Sequence, residues 1–213
     1  MKRLFFIGIG AFVVISFCYG QAFSHVPYLE ETDFSEEQPF RVAGSIEQSI
    51  AVYAWLEFEN GFSDDVDVYT FNLPEPSRVF VQSLVPECSG YENFLPWFAV
   101  VGPGLPEPEY DSLPFALPQG QGAIVVKNLE PGQERTSFYE PFGGKSYYEG
   151  PKFDQMLKEP GTYSVYFWDP YQQGGDYVAV LGYEEIWRFQ DIMRAVRYTP
   201  QIRQDKELHI ECK

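Results

Sequence analysis

Along most of the chain, apolar and polar positions alternate in short runs bounded by glycine, proline and aspartate, the period-2 signature of strands. The pattern predicts strands over 49–58, 66–73, 78–85, 97–101, 123–129, 162–168 and 176–181. In the first, Ile50, Val52, Ala54, Leu56 and Phe58 share one face while Tyr53 and Trp55 occupy the other. A strand bulky on both faces belongs in the middle of a sheet. Residues 169–175 (DPYQQGG) are rich in turn formers and predict a hairpin between the last two strands.

Two stretches break the alternation. Residues 102–118 hold five prolines, each of which removes a ladder donor, so a long irregular loop is expected. Residues 131–160 read as a second long loop. Aromatic side chains in these loops, Tyr110, Phe115, Phe138, Tyr139, Phe142, Tyr147 and Tyr148, either fold over an open end of the sandwich or form a contact surface for protein or carbohydrate.

The period changes to helical over 186–198. Ile186, Phe189, Ile192, Met193 and Val196 fall within an arc of about 120° when successive residues turn by about 100°, opposite Arg188, Asp191, Arg194 and Arg197. This predicts one amphipathic helix ended by Pro200, its apolar arc docked on the sandwich or laid on a membrane surface or a partner.

At the start of the chain, residues 1–3 are cationic, 4–19 are almost wholly apolar and 20–24 are short and polar, the layout of an export signal. The apolar run is shorter than the roughly 20 residues of a spanning helix, so a cleaved signal is expected over a permanent anchor. The organisation expected is a signal over 1–24, a strand-rich domain over 25–183 and a helix with a polar tail over 184–213.

Composition narrows the class. Aromatics make up 18% of the chain and methionine only three positions, which favours an all-β core over a helical bundle. Without residues 1–24 there remain 13 basic and 31 acidic residues, a net charge of −18, all of it within 25–183. So acidic a body repels nucleic acid and anionic lipid. Cys18 falls within the signal, which leaves Cys88 and Cys212 as a disulfide outside the cytosol or as two separate thiols.

Candidate chemistry is sparse. There is no GxSxG and no HExxH, and Gly143-Gly144-Lys145-Ser146 lacks the first glycine and the following helix of a phosphate loop. The loop carboxylates Glu107, Glu109, Asp111 and Glu140 have no spacing that singles out catalysis. Asp64, Asp65 and Asp67, with Glu57, Glu59 and Asn60 nearby, can supply several of the six to eight oxygens that Ca2+ takes, or form a solvated acidic turn. Cleavage after Ser24 would make His25 the N-terminus, where its amine and imidazole suit Cu(II); His209, near Cys212, is the other histidine, giving a copper-handling or redox alternative.

The runs Asp64-Asp65-Val66-Asp67-Val68-Tyr69-Thr70-Phe71, Arg78-Val79-Phe80-Val81, Pro160-Gly161-Thr162-Tyr163-Ser164-Val165-Tyr166 and Gly174-Gly175-Asp176-Tyr177-Val178-Ala179-Val180 resemble those of bacterial pre-peptidase C-terminal domains, over about residues 45–183. The resemblance implies a jelly-roll-like antiparallel β-sandwich in an exported protein, sometimes with calcium at acidic residues matched here by Asp64, Asp65 and Asp67. It implies an accessory or binding module rather than a catalyst. The long loops, the added helix and the want of an attached protease depart from that family's pattern.

Overall fold

The structure is a computed structural model and describes residues 25–58, 62–109 and 113–212; the signal segment 1–24 and Tyr110 lie outside them. Eleven strands and one helix follow in the order β1 (Val26–Leu29), β2 (Phe40–Arg41), β3 (Ile50–Leu56), β4 (Val66–Leu73), β5 (Ser77–Pro86), β6 (Trp97–Gly102), β7 (Gly122–Val126), β8 (Ser137–Glu140), β9 (Lys145–Leu157), β10 (Gly161–Trp168), β11 (Gly175–Leu181) and α1 (Phe189–Ile202). A six-stranded sheet, in the order β1-β3-β11-β5-β9-β8, faces a five-stranded sheet, β2-β4-β10-β6-β7. Between them Val52, Leu56, Phe71, Val79, Val81, Phe98, Phe153 and Phe167 form the core.

All seven strands expected from the alternation form, and β3 lies between β1 and β11 as its two apolar faces require. The sheets are nevertheless mixed. β1 pairs with β3, and β2 with β4, in parallel, because the N-terminal segment visits an edge of one sheet, then of the other, before β3 begins. A chain that leaves a sheet by such a crossover returns in the same direction.

Three expectations are corrected. Residues 169–175 do not close a hairpin: β10 and β11 belong to different sheets, and the link crosses between them, its turn held by the Asp169 carboxylate accepting from the Tyr171 and Gln173 N–H groups. The second long loop is largely strand, since β8 and β9 pair there as a hairpin. The signal of β9 is broken by Gly150-Pro151, which form a bulge opposite Ser83; a Cβ on Gly150 would stand 2.5 Å from the Ser83 carbonyl oxygen.

The third concerns the helix. It begins at Phe189 rather than 186, because Gln48 Nε2 takes the Ile186 carbonyl while the Arg188 N–H donates to Asp191 at the first turn. Pro200 sits inside its last turn instead of ending it, and its apolar arc does not dock. Phe189, Ile192, Met193 and Val196 are 79%, 50%, 53% and 66% exposed. The opposite side faces the body: Asp191 is buried and accepts from Gln48, the Arg194 guanidinium lies 4.1 Å over the Tyr28 ring, the Tyr198 hydroxyl donates to Glu31, and Ile202 is fully buried.

After α1 the tail runs back across the six-stranded sheet. Lys145 pairs with Asp205 and Glu207, Asp176 accepts from the His209 ring and backbone, and Cys88 and Cys212 form a disulfide with Cα atoms 4.8 Å apart. Replacing Cys212 by Ser is expected to free residues 203–212 and to cost about 2–4 kcal/mol of stability. Calorimetry reads the loss, and hydrogen exchange should quicken in the tail well before it does in β3 and β11.

Candidate functional site

The outer face of the six-stranded sheet is apolar where a solvated face would be polar. Ala51 and Tyr53 of β3, Phe80 and Leu84 of β5, Tyr147 of β9, and Val178 and Val180 of β11 all point outward. Ile202 and Tyr198 of α1 cover one end of this patch; the remainder forms the floor of a groove of about 690 Å3.

Two walls flank the floor. The first is the tip of the β8–β9 hairpin, with Phe138, Tyr139, Glu140, Pro141 and Phe142. Glu140 builds this tip, its carboxylate accepting from the N–H groups of Phe142 and Gly143. The second wall is the segment after β11. Gly182 turns the chain at φ 77°, where a Cβ would stand 2.2 Å from the Gln48 carbonyl oxygen. Tyr183 and Glu184 then bond back to Glu47, which brings Tyr183 and Glu185 to the rim. Arg78, Glu149 and Lys152 give the groove a polar border, Gln82 lies in the floor between Phe80 and Leu84, and His25, its imidazole bonded to Ser49 and its pKa lowered by burial, stands at the β1 side.

Of the sequence-predicted surface residues, Phe138, Tyr139, Phe142 and Tyr147 come together here. Tyr148 does not: one position along β9 it turns to the inner face, with the Arg135 guanidinium over its ring. Phe115 is on the other side of the molecule, stacked at 3.8 Å on Tyr166 of the five-stranded sheet, so the proline-rich loop covers that sheet's outer face. The floor residues other than Tyr147 escaped the sequence reading of the site, although the apolar positions on both faces of β3, β5 and β11 carried the signal.

A second arrangement is a nest of carboxylates under the β1 edge. Ligand oxygens of Glu30, Asp33 and Asp67 all lie within 4.8 Å of one another. Asp67 is fully buried. One of its oxygens accepts from the Tyr177 hydroxyl at 2.6 Å, with the Tyr69 hydroxyl 2.8 Å further on, and the other, Oδ1, has no partner. Glu30 accepts from the Trp55 N–H. Of the predicted calcium residues, only Asp67 is in the nest; Asp65, half-buried, accepts from the Glu57 N–H beside it, and Asp64 is exposed. Glu30 and Asp33 were missed because they lie more than thirty residues before Asp67 and only the β1-to-β2 excursion brings them near. His25 and His209 are not brought together. His25 bonds Ser49 and His209 stacks on Trp55, at opposite ends of β3, roughly 20 Å apart at about 3.3 Å per residue.

No family model and no curated protein matches the chain. Among solved structures, it is similar to the pre-peptidase C-terminal domain of a collagenase from Bacillus anthracis, at 15% identity and a TM-score of 0.33, covering 66% of this chain and 90% of that one. It is also similar to PliG of Aeromonas hydrophila, a periplasmic inhibitor of g-type lysozyme, at 11% identity and a TM-score of 0.34, covering 75% and 98%. The first belongs to the family that the strand motifs resemble. Neither likeness is close enough to carry an inference about function.

Burial pushes the Glu30 carboxyl from 4.5 up to about 8, with Asp33 and Asp65 adding repulsion against the Trp55 bond, and burial beside Glu30 also raises Asp67 well above its ordinary range. These carboxyls hold protons in the folded chain that the unfolded chain releases above about pH 4.5, so their contribution to stability is present below that pH and is lost as pH rises towards 8. In chelator, the melting temperature should fall by about 5–10 °C between pH 5.5 and 8, equivalent to roughly 2–3 kcal/mol. A Glu30→Gln chain should show a visibly flatter pH profile in the same thermal melts.

Proposed function

We propose that the chain is an exported, non-catalytic binding module whose groove takes an apolar segment of another extracytoplasmic protein, and whose carboxylate nest is held by Ca2+. The observation that carries the reading is the groove itself: an aliphatic and aromatic floor on the outer face of a sheet, with charged groups only at its border. Such a lining desolvates apolar side chains and leaves their flanking backbone to the polar rim. A sugar, whose hydroxyls need partners at each position, would find few on this floor. Export is supported by the signal-like start of the sequence and by the disulfide.

Selection from a displayed peptide library with the purified chain should enrich peptides carrying two or more large apolar residues. Tyr139→Ser, at a 62% exposed position, and Phe80→Ala, on the floor, should each weaken the selected peptides by roughly tenfold in titration calorimetry. Retention on immobilised oligosaccharides with no peptide enrichment would sink the proposal.

Calcium fits the nest because the unpartnered Asp67 Oδ1 is an oxygen ligand already held in place, and Glu30 and Asp33 add two carboxylates. The ion would replace the protons these groups otherwise keep and would fasten the β1–β2 segment to β4. Millimolar calcium at pH 8 is expected to raise the melting temperature of the native chain and to release protons into weakly buffered solution. An Asp67→Asn chain should show neither effect; equal stabilisation of both chains would remove the nest as the site.

A further inference from the structure

The apolar face of α1 has no partner among the described residues, and its orientation is fixed rather than incidental. On the body-facing side Asp191 is locked to Gln48 and the Arg188 backbone, Arg194 lies over Tyr28, and Ile202 is fully buried, so the helix cannot roll its apolar arc inward without breaking all three. We propose that this outward face docks on a lipid surface.

Three observations select that occupant. The first is charge. Residues 188–203 contain four arginines and one acid on a body of strongly negative charge; Arg194 turns to the body, whereas Arg197, its side chain 67% exposed and paired with Glu31, and Arg203, donating to the Phe142 carbonyl, flank the arc. An apolar strip edged by arginines matches the boundary between acyl chains and anionic headgroups. Repulsion from the acidic body fades over roughly 8 Å at physiological salt, whereas the helix margins would touch the surface itself.

The second is size. Fourteen residues make a helix about 21 Å long, and a strip about 10 Å wide along it gives a footprint of roughly 200 Å2, far below the ~800 Å2 per partner of a stable protein interface. A second copy of the chain would need contacts well beyond this face; a lipid surface needs no such area, because an interfacial helix sinks about 5–10 Å into it.

The third is the chain that precedes β1. Residues 4–19 are an almost unbroken apolar run, and six residues separate them from β1, the strand against which α1 lies. Where that run stays attached, it holds this edge of the fold within a few residues of a bilayer.

The test is flotation and hydrogen exchange of the chain as exported, with vesicles of phosphatidylcholine containing about a quarter phosphatidylglycerol. The chain should float with the vesicles, and exchange over 189–202 should slow when they are added. A Phe189→Ser/Met193→Ser chain, altered only at exposed positions, should keep its melting temperature and lose vesicle binding at least roughly tenfold, together with the protection over 189–202. Should that chain melt early, Val196→Asn replaces it with the same expectation. Exchange over 189–202 indifferent to vesicles, or equal protection in the substituted chain, overturns the proposal. Self-association that the same substitutions abolish, without lipid protection, overturns it too and gives the face to a second copy.

Discussion

The six-stranded sheet has two apolar faces and the facing sheet can cover only one of them. Val52, Leu56 and Ala179 point into the sandwich, while Ala51, Tyr53, Val178 and Val180 on the same strands point away from it. At about 25 cal/mol per Å2, leaving the second face wet would forfeit much of what a core of this size supplies. The later chain answers this constraint. Ile202 and Tyr198 cap one end of the outer face, the tail crosses it, and the β8–β9 tip leans over it, so the groove is the part of the face that the chain leaves uncovered.

The same constraint explains why α1 binds by its polar side. The body presents Gln48, Tyr28 and Glu31 along the β1 edge, and these match Asp191, Arg194 and Tyr198. The buried Asp191 carboxylate, accepting from Gln48, the Arg188 N–H and Arg194, is fully engaged, and such a group would be costly to strand without partners. Polar pairing thus sets the orientation of the helix, and the apolar residues take the side that remains.

What the sequence disclosed was what local period encodes. The strands from 49 to 101 and from 162 to 181 follow from alternation, and four of the seven aromatic residues marked as a contact surface do line the groove. β9 was hidden because Gly150 and Pro151 interrupt its pattern for a bulge that only the partner Ser83 makes necessary. The carboxylate nest was half visible, since Asp67 stands in a conspicuous acidic run while Glu30 and Asp33 join it through topology. The helix was legible as a helix but not in its orientation, because periodicity shows that a face is apolar and not which way it points.

The bridge between Cys88 and Cys212 fixes an order of events. A chain built and delivered N-terminus first presents Cys88 124 positions before its partner, so the first thiol waits for that whole stretch before it can be oxidised. The ring closes only when α1 and its tail are already within reach of the sheet. Covalent closure therefore acts as a seal on a completed fold rather than as a guide to it, and a chain halted short of Cys212 would carry an idle thiol at Cys88 and an uncovered apolar sheet face.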